Sequence, residues 1–207
     1  MIKKEDLLGA VYFLAIVALL VTFLDEFIFF TKKAPYFMGF IKVAILATFG
    51  ECLKYRGKTG FWAPPYLFDK FIIWGLYGMW FTLVFPIFSF GAQGVIENEL
   101  WFGFWPAFSK SLFINSCYAY GMMLSHEYIN KMIEFRGFLS AERFKQELDA
   151  NVWFPSKKWG SVPWTIVWFW IPAHTVTFML PEHFRILSAA FLAVVLGFIL
   201  TTAGGKK

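Results

Sequence analysis

The sequence is poor in charge and in cysteine. Charged residues make up 16% of its 207 residues, 58% are hydrophobic, and the mean hydropathy is +0.57. A water-soluble domain of this size needs far more polar surface, so that class is excluded. The two cysteines, Cys52 and Cys117, fall at the ends or in the interior of apolar runs, which favours small packing residues over a disulfide or a metal site.

Motifs of the common enzyme classes are also missing. The chain has no P-loop, no GxSxG, no GxGxxG and no cysteine and histidine cluster, so no cofactor or metal is expected. His126 and Glu127 form an HE pair, but Asn130 stands where a zinc metalloprotease has its second histidine. Basic residues do not interleave with exposed aromatics, so the formal charge of +5 indicates an anionic lipid surface and not a nucleic acid.

Six long apolar stretches dominate what is present. They lie near 7–30, 36–53, 67–90, 103–124, 162–180 and 184–203. A bilayer core about 30 Å thick is crossed by roughly 20 helical residues, so each stretch is long enough to span it. We predict an all-α, polytopic transmembrane helix bundle of about six spans, with residues 1–207 as a single integral membrane domain. Four or five spans are the alternative, because 36–53 and 103–124 contain Lys42 and Lys110 and could be re-entrant or interfacial.

Basic residues are distributed unevenly between the predicted loops. If the N-terminus is cytoplasmic, 14 of the 19 lysines and arginines lie on the cytoplasmic side or its organellar equivalent, and the opposite side holds only Lys32, Lys33 and Arg185. Cytoplasmic loops collect lysine and arginine, so both termini are predicted to be on the cytoplasmic side. The first apolar run has no small-residue cleavage site and is expected to remain as an uncleaved anchor.

The stretch 126–160 is the one sizeable polar region and is predicted to be a cytoplasmic connector. Within it, Phe144, Leu148 and Val152 recur at four-residue steps, which predicts an amphipathic helix from Ser140 to Val152. This helix is either a solvated connector or a surface that binds a partner.

Ionisable side chains within the apolar stretches are candidates for function, because each costs roughly 2.5–3.5 kcal/mol at mid-membrane. Lys42 and Glu51 are nine positions apart, and about 100° per residue places them on opposite helix faces. Each therefore needs its own partner or an end near water. Asp25 and Glu26 either mark the outer interface or face a partner.

A polar stripe runs along the fourth apolar stretch, beside Lys110. Ser111, Asn115 and Tyr118 follow one another at four- and three-residue steps, which places them on one helix face. Such a stripe either lines an aqueous cavity or joins helices through hydrogen bonds.

His174 is the one histidine inside the fifth apolar stretch. It lies beside Pro172, which removes a backbone bond and is predicted to kink the helix. His174 is either a satisfied packing residue or a cavity-facing group that can gate or relay protons.

The hairpin between the last two stretches carries a family resemblance. Its residues are Trp170, Pro172, Pro181, Phe184 and Arg185. The last three have the spacing of the proline, aromatic and arginine of the Mpv-seventeen family, which includes the twenty-two-kilodalton peroxisomal membrane protein. Trp170 and Pro172 resemble its tryptophan-proline with one extra residue between them, and Gly50-Glu51 resembles its glycine-aspartate.

The resemblance implies a compact helical protein of the mitochondrial inner or peroxisomal membrane, with relatives in the bacterial inner membrane. It also implies a weakly selective channel for small solutes. The residues suggest a structural role for Pro172, Pro181, Phe184 and Arg185, because a guanidinium can bond the helix-terminal carbonyls that a short hairpin leaves unpaired.

We predict a channel or pore for a small molecule or ion in a lipid bilayer. Its lining is predicted to consist of Glu51, Lys110, Asn115, His174 and Lys42. Two other classes stay open: a membrane-embedded enzyme with Glu51 and His174 as acid and base toward a lipid-like substrate, and a non-transporting scaffold that presents 126–160. No small-residue motif names a dimer face, so a homo-oligomer is left open.

Overall fold

The computed structural model describes residues 4–99, 105–154 and 161–204, with side chains through residue 199. This part of the chain is 88% helical and has no strand, so the all-α prediction is confirmed for it. The elements in chain order are α1 (Lys4–Thr22), α2 (Leu24–Lys33), α3 (Pro35–Thr59), α4 (Leu67–Glu97), α5 (Pro106–Ile114), π1 (Asn115–Ala119), α6 (Tyr120–Phe135), α7 (Ala141–Glu147), α8 (Ala150–Trp153), α9 (Val162–Thr165), π2 (Ile166–Trp170), α10 (Ile171–Met179) and α11 (Glu182–Gly204).

Within the described ranges, four α-helical segments are long and apolar enough to cross a membrane. They are α1, α3, α4 and the Glu182–Ile199 part of α11. Lys42 does not interrupt α3, which contains the whole of the predicted stretch 36–53. The described helical parts of the stretches 103–124 and 162–180 change their hydrogen bonding midway, at π1 and π2. Neither is therefore one unbroken α-helix.

The segment π2 ends at Trp170, two residues before Pro172. The N–H of Ile171 bonds to the carbonyl of Ile166, five residues back, which is the π-helical pattern. Proline has no N–H to bond to a carbonyl four residues back, and a wider turn beside it is one way in which a helix absorbs that loss. The disturbance predicted at Pro172 thus takes the form of a π segment.

The first apolar stretch, 7–30, forms two helices and not one. Helix α1 ends at Thr22 and α2 begins at Leu24, while Phe23 between them has φ −113° and ψ 41°. Residues 20–26 contain no proline or glycine, so hydropathy alone predicts a single run.

Helix α1 packs loosely against the rest of the protein. Only 6% of its apolar part is buried. Tyr12 and Phe13 contact the Phe49 ring at 5.4 and 5.8 Å between centroids, and Phe13 also contacts Phe191 at 6.0 Å. Its start is fixed by Asp6, which accepts bonds of 2.7 and 2.8 Å from the Arg56 guanidinium and one of 2.9 Å from the Trp62 indole. An apolar helix with so little protein contact presents most of its surface to lipid if the chain lies in a bilayer.

Helices α3, α4 and α11 form the packed centre, and glycines allow their close approach. A Cβ atom on Gly39 of α3 would come within 2.6 Å of the carbonyl oxygen of Gly78 on α4. A Cβ atom on Gly197 of α11 would come within 2.5 Å of the carbonyl oxygen of Gly50 on α3. Small residues at helix crossings are typical of membrane bundles, and here they serve contacts within one chain.

Within the polar region 126–160, the single amphipathic helix predicted from Ser140 to Val152 forms two short helices, α7 and α8. Residues up to 135 continue α6, and the predicted helix is broken at Leu148, whose backbone is extended. The break has a local cause, because the Asp149 carboxylate caps a new helix by accepting a 2.8 Å bond from the Asn151 N–H. Residues 155–160 lie outside the described part.

Candidate functional site

Glu51 is the centre of a polar cluster formed by three helices. Its Oε2 lies 3.3 Å from Lys70 Nζ at the start of α4. Its Oε1 accepts a 3.1 Å hydrogen bond from Trp74 Nε1, one turn further along α4. His126 of α6 places Nε2 3.8 Å from the same oxygen. The carboxylate therefore ties α3 to both α4 and α6.

Asn130 completes this cluster and determines the tautomer of His126. Lys70 Nζ can only donate, so the Asn130 atom 3.4 Å from it must be the amide oxygen. The Asn130 nitrogen then donates to His126 Nδ1 at 3.2 Å. His126 Nδ1 is the acceptor, so in the neutral ring the proton lies on Nε2, which faces Glu51. The Trp74 ring covers the imidazole at 4.0 Å between centroids.

A second polar group lies where π1 meets α10. Asn115 Nδ2 donates to the Ser111 carbonyl at 2.9 Å and lies 3.1 Å from His174 Nδ1. Ser111 Oγ donates to the Ile171 carbonyl at 2.7 Å. Two buried polar atoms beside this group, Asn115 Oδ1 and Trp170 Nε1, have no hydrogen-bond partner within the described residues. They can serve a polar solute as acceptor and donor.

Both groups line one cavity of about 640 Å³, which we call the Glu51 cavity. Its polar lining includes Glu51, Lys70, Asn115, His126, Trp170 and His174. It extends from the last turns of α3, with Lys54 and Lys58, inward to Phe81 and Phe85 of α4. A polar entrance thus leads to an interior that ends on aromatic rings.

A second cavity of about 550 Å³, which we call the Lys42 cavity, lies toward the start of α3 and α11. Its charged lining consists of Lys32, Lys42, Glu182 and Arg185. Phe85 is the one described residue that lines both cavities. It is 5% exposed, and its ring lies against Phe178 at 5.5 Å and His174 at 5.6 Å. The side chain of Phe85 therefore lies against both spaces.

Lys42 is 5% exposed and lacks an acidic partner. All 14 aspartate and glutamate side chains are described, and none forms an ion pair with Lys42. Its Nζ lies 3.4 Å from the His183 carbonyl oxygen and 4.5 Å from the Phe27 ring centroid. Burial of an uncompensated ammonium is unfavourable, and these two contacts compensate it only in part.

Arg185 lies at the turn between α10 and α11. Its Nε donates to the Leu180 carbonyl at 3.2 Å, and its Nη1 lies 3.5 Å from Ser89 Oγ and 3.4 Å from Glu182 Oε1. The Phe184 N–H bonds to the Pro181 carbonyl at 2.9 Å, which closes the turn. Arg185 thus bonds the end of α10 and also forms part of the Lys42 cavity.

The structure brings some of the predicted lining residues together and separates others. Glu51, Asn115 and His174 line the Glu51 cavity, Lys42 lines the other one, and Lys110 lines neither. The side chain of His174 forms one hydrogen bond, to Asn115, and the histidine near Glu51 is His126.

Sequence reasoning missed four members of the Glu51 cluster. They are Lys70, Trp74, His126 and Asn130. The signal available was spacing, because Lys70 and Trp74 are one helical turn apart, as are His126 and Asn130. In the sequence, the charge distribution counts Lys70 among the 14 cytoplasmic basic residues, and His126 stands out only through the HE pair.

No family model, no curated protein and no solved structure matches this chain. The geometry of the two cavities is therefore the basis for a functional assignment.

Proposed function

We propose that this protein is an integral membrane protein that provides a path for small solutes or ions across the bilayer, closed at Phe85 in this structure. The single observation that carries the proposal is the pair of cavities that both end on this one side chain. Polar groups line both spaces, and an aromatic ring between them is a suitable hydrophobic barrier to water and ions. Removal of the ring would join the two spaces.

We further propose six spans with both termini on the cytoplasmic side. Residues 106–135 and 162–179 are helical throughout when the π segments within them are included, and both runs are long enough for a bilayer core. The ion pairs of Asp6 with Arg56 and of Glu51 with Lys70 bring the start of α1, the end of α3 and the start of α4 to one end of the bundle. Basic side chains concentrated at that end favour a cytoplasmic location for it.

The resemblance of the hairpin to the Mpv-seventeen family supports the same proposal. A distant member of that family would lie in a mitochondrial inner or peroxisomal membrane, and a bacterial one in the inner membrane. Arg185 would then serve the hairpin through its bond to the Leu180 carbonyl.

Planar-bilayer recordings of the purified, reconstituted protein test the proposed path. We expect low, discrete conductance from the wild type and larger, longer openings from Phe85→Ala. Phe178→Ala is the matched control, because Phe178 is also 5% exposed and packs on Phe85 but lines neither cavity. Glu51→Gln should change ion selectivity, whereas Lys110→Met should not.

Silence of both the wild type and Phe85→Ala at many protein-to-lipid ratios, with the protein still helical, would contradict the path. Equal conductance changes in Phe85→Ala and Phe178→Ala would show general loosening of the core and not the removal of a barrier.

A membrane-embedded enzyme acting on a lipid-like substrate is the second candidate. It is favoured by the 3.8 Å approach of His126 Nε2 to Glu51 Oε1 inside a cavity that Lys70 also lines. Such a set can hold and transfer a proton. Mass spectrometry of the lipids after incubation tests it: new products that vanish in Glu51→Gln and His126→Gln, and persist in Phe85→Ala, would favour the enzyme.

A further inference from the structure

The Lys42 cavity has more positive than negative charge. Lys32, Lys42 and Arg185 line it, against the single carboxylate of Glu182. That carboxylate is largely solvent-exposed, at 74% for the side chain, whereas the Arg185 side chain is 15% exposed. The buried part of the cavity wall is therefore cationic.

Lys42 and Arg185 each keep donor groups that no described acceptor uses. The Lys42 ammonium has three donors, and one long bond of 3.4 Å to the His183 carbonyl uses only one of them. Arg185 uses Nε and Nη1 for Leu180, Ser89 and Glu182, while its Nη2 makes no hydrogen bond to any described residue. Two cationic donor groups are thus available in one cavity of about 550 Å³.

We propose that the Lys42 cavity binds a phosphate-type oxyanion through Lys42 Nζ and Arg185 Nη2. An ammonium and a guanidinium are the two side chains that recognise phosphate oxygens best, the first as a point charge and the second as a planar donor. A bound anion supplies the counter-charge that none of the chain's carboxylates gives to Lys42. Exposed Lys32 at the rim adds attraction on entry.

Two sources share this chemistry. One is a free phosphate-bearing solute that enters from water, and the other is the headgroup of an anionic phospholipid that enters from the bilayer. Binding at this cavity does not require conduction, so a failure of the proposed path would leave the binding site untouched, and the reverse also holds.

Isothermal titration calorimetry in a neutral maltoside detergent tests the site. The wild type is titrated with inorganic phosphate in one arm and with a short-chain phosphatidylglycerol in the other. We expect saturable binding in at least one arm and a loss of affinity of about tenfold or more in Lys42→Met. Lys33→Gln is the matched control, since Lys33 is the exposed neighbour of Lys32 and lines neither cavity.

Each outcome decides the proposal. Binding of phosphate identifies a free solute as the source, binding of the lipid alone identifies the headgroup, and either supports the site when Lys42→Met weakens it and Lys33→Gln does not. Absence of saturable binding in both arms would overturn the proposal, as would equal affinities of the wild type and Lys42→Met. Lys42→Met removes only a buried charge, and a circular dichroism spectrum equal to that of the wild type verifies its fold.

Discussion

The two cavities each bury one lysine, and the two lysines differ in their partners. Lys70 of the Glu51 cavity is 9% exposed, with Nζ 3.3 Å from Glu51 Oε2. Lys42 of the other cavity is 5% exposed and meets only a carbonyl oxygen and an aromatic ring. A buried ion pair compensates both charges, whereas a lone buried ion does not. We therefore assign a structural role to the charge of Lys70 and a binding role to that of Lys42.

Among the substitutions that test this difference between the two lysines, Glu51→Gln is expected to change stability most. The substitution leaves Lys70 buried without a counter-charge, so we expect a loss of about 3 kcal/mol in the free energy of unfolding. Denaturant titration in mixed micelles, followed by circular dichroism, measures it.

A second substitution tests the cause of that loss. Lys70→Met in the Glu51→Gln background removes the orphaned ammonium and should recover part of the lost stability. A double variant as unstable as Glu51→Gln alone would show that the pair is not the reason.

An effect of opposite sign is expected from Lys42→Met. Methionine keeps most of the length of the side chain and removes a buried charge that has no acidic partner, so stability should rise by about 1.5 kcal/mol. The same titration, carried out without added phosphate or anionic lipid, checks the sign. A loss of stability would mean that Phe27 and the His183 carbonyl compensate the ammonium fully.

The smallest effect is expected from Trp74→Phe. This change keeps a ring over His126 and removes only the indole donor to Glu51 Oε1. Interhelical hydrogen bonds in membrane proteins contribute about 0.6 kcal/mol on average, and a loss of that size is expected in the same titration. A loss as large as that of Glu51→Gln would show that the indole, and not Lys70, holds the carboxylate.

The helical elements could be predicted from the sequence because apolar run length is a direct consequence of bilayer thickness. The predictions were less accurate where local hydrogen bonding decides the backbone. The break at Phe23 and the two π segments carry no hydropathy signal, and the helix expected from Ser140 to Val152 ends early because Asp149 caps a new turn. Whether a polar side chain bonds the backbone and ends a helix depends on that one residue and not on hydrophobic periodicity.

The candidate site could be predicted only in part. Burial of Glu51 implied a partner, but Lys70 lies 19 positions away and His126 lies 75 positions away, on other helices. The choice of these partners depends on how α3, α4 and α6 pack, which one sequence does not reveal. For the same reason the sequence placed Lys110 among the lining residues, while the structure places it in neither cavity.

Thiol labelling from each side of a sealed vesicle tests the central claim that the two cavities open to opposite sides and are separated at Phe85. With Cys52 and Cys117 replaced by serine, Ala189→Cys reports on the Glu51 cavity and Lys42→Cys on the other. In vesicles of uniform orientation, a membrane-impermeant thiol reagent should label one variant from outside only and the other from inside only. Labelling of both variants from the same side, or of neither from either side, would contradict the account.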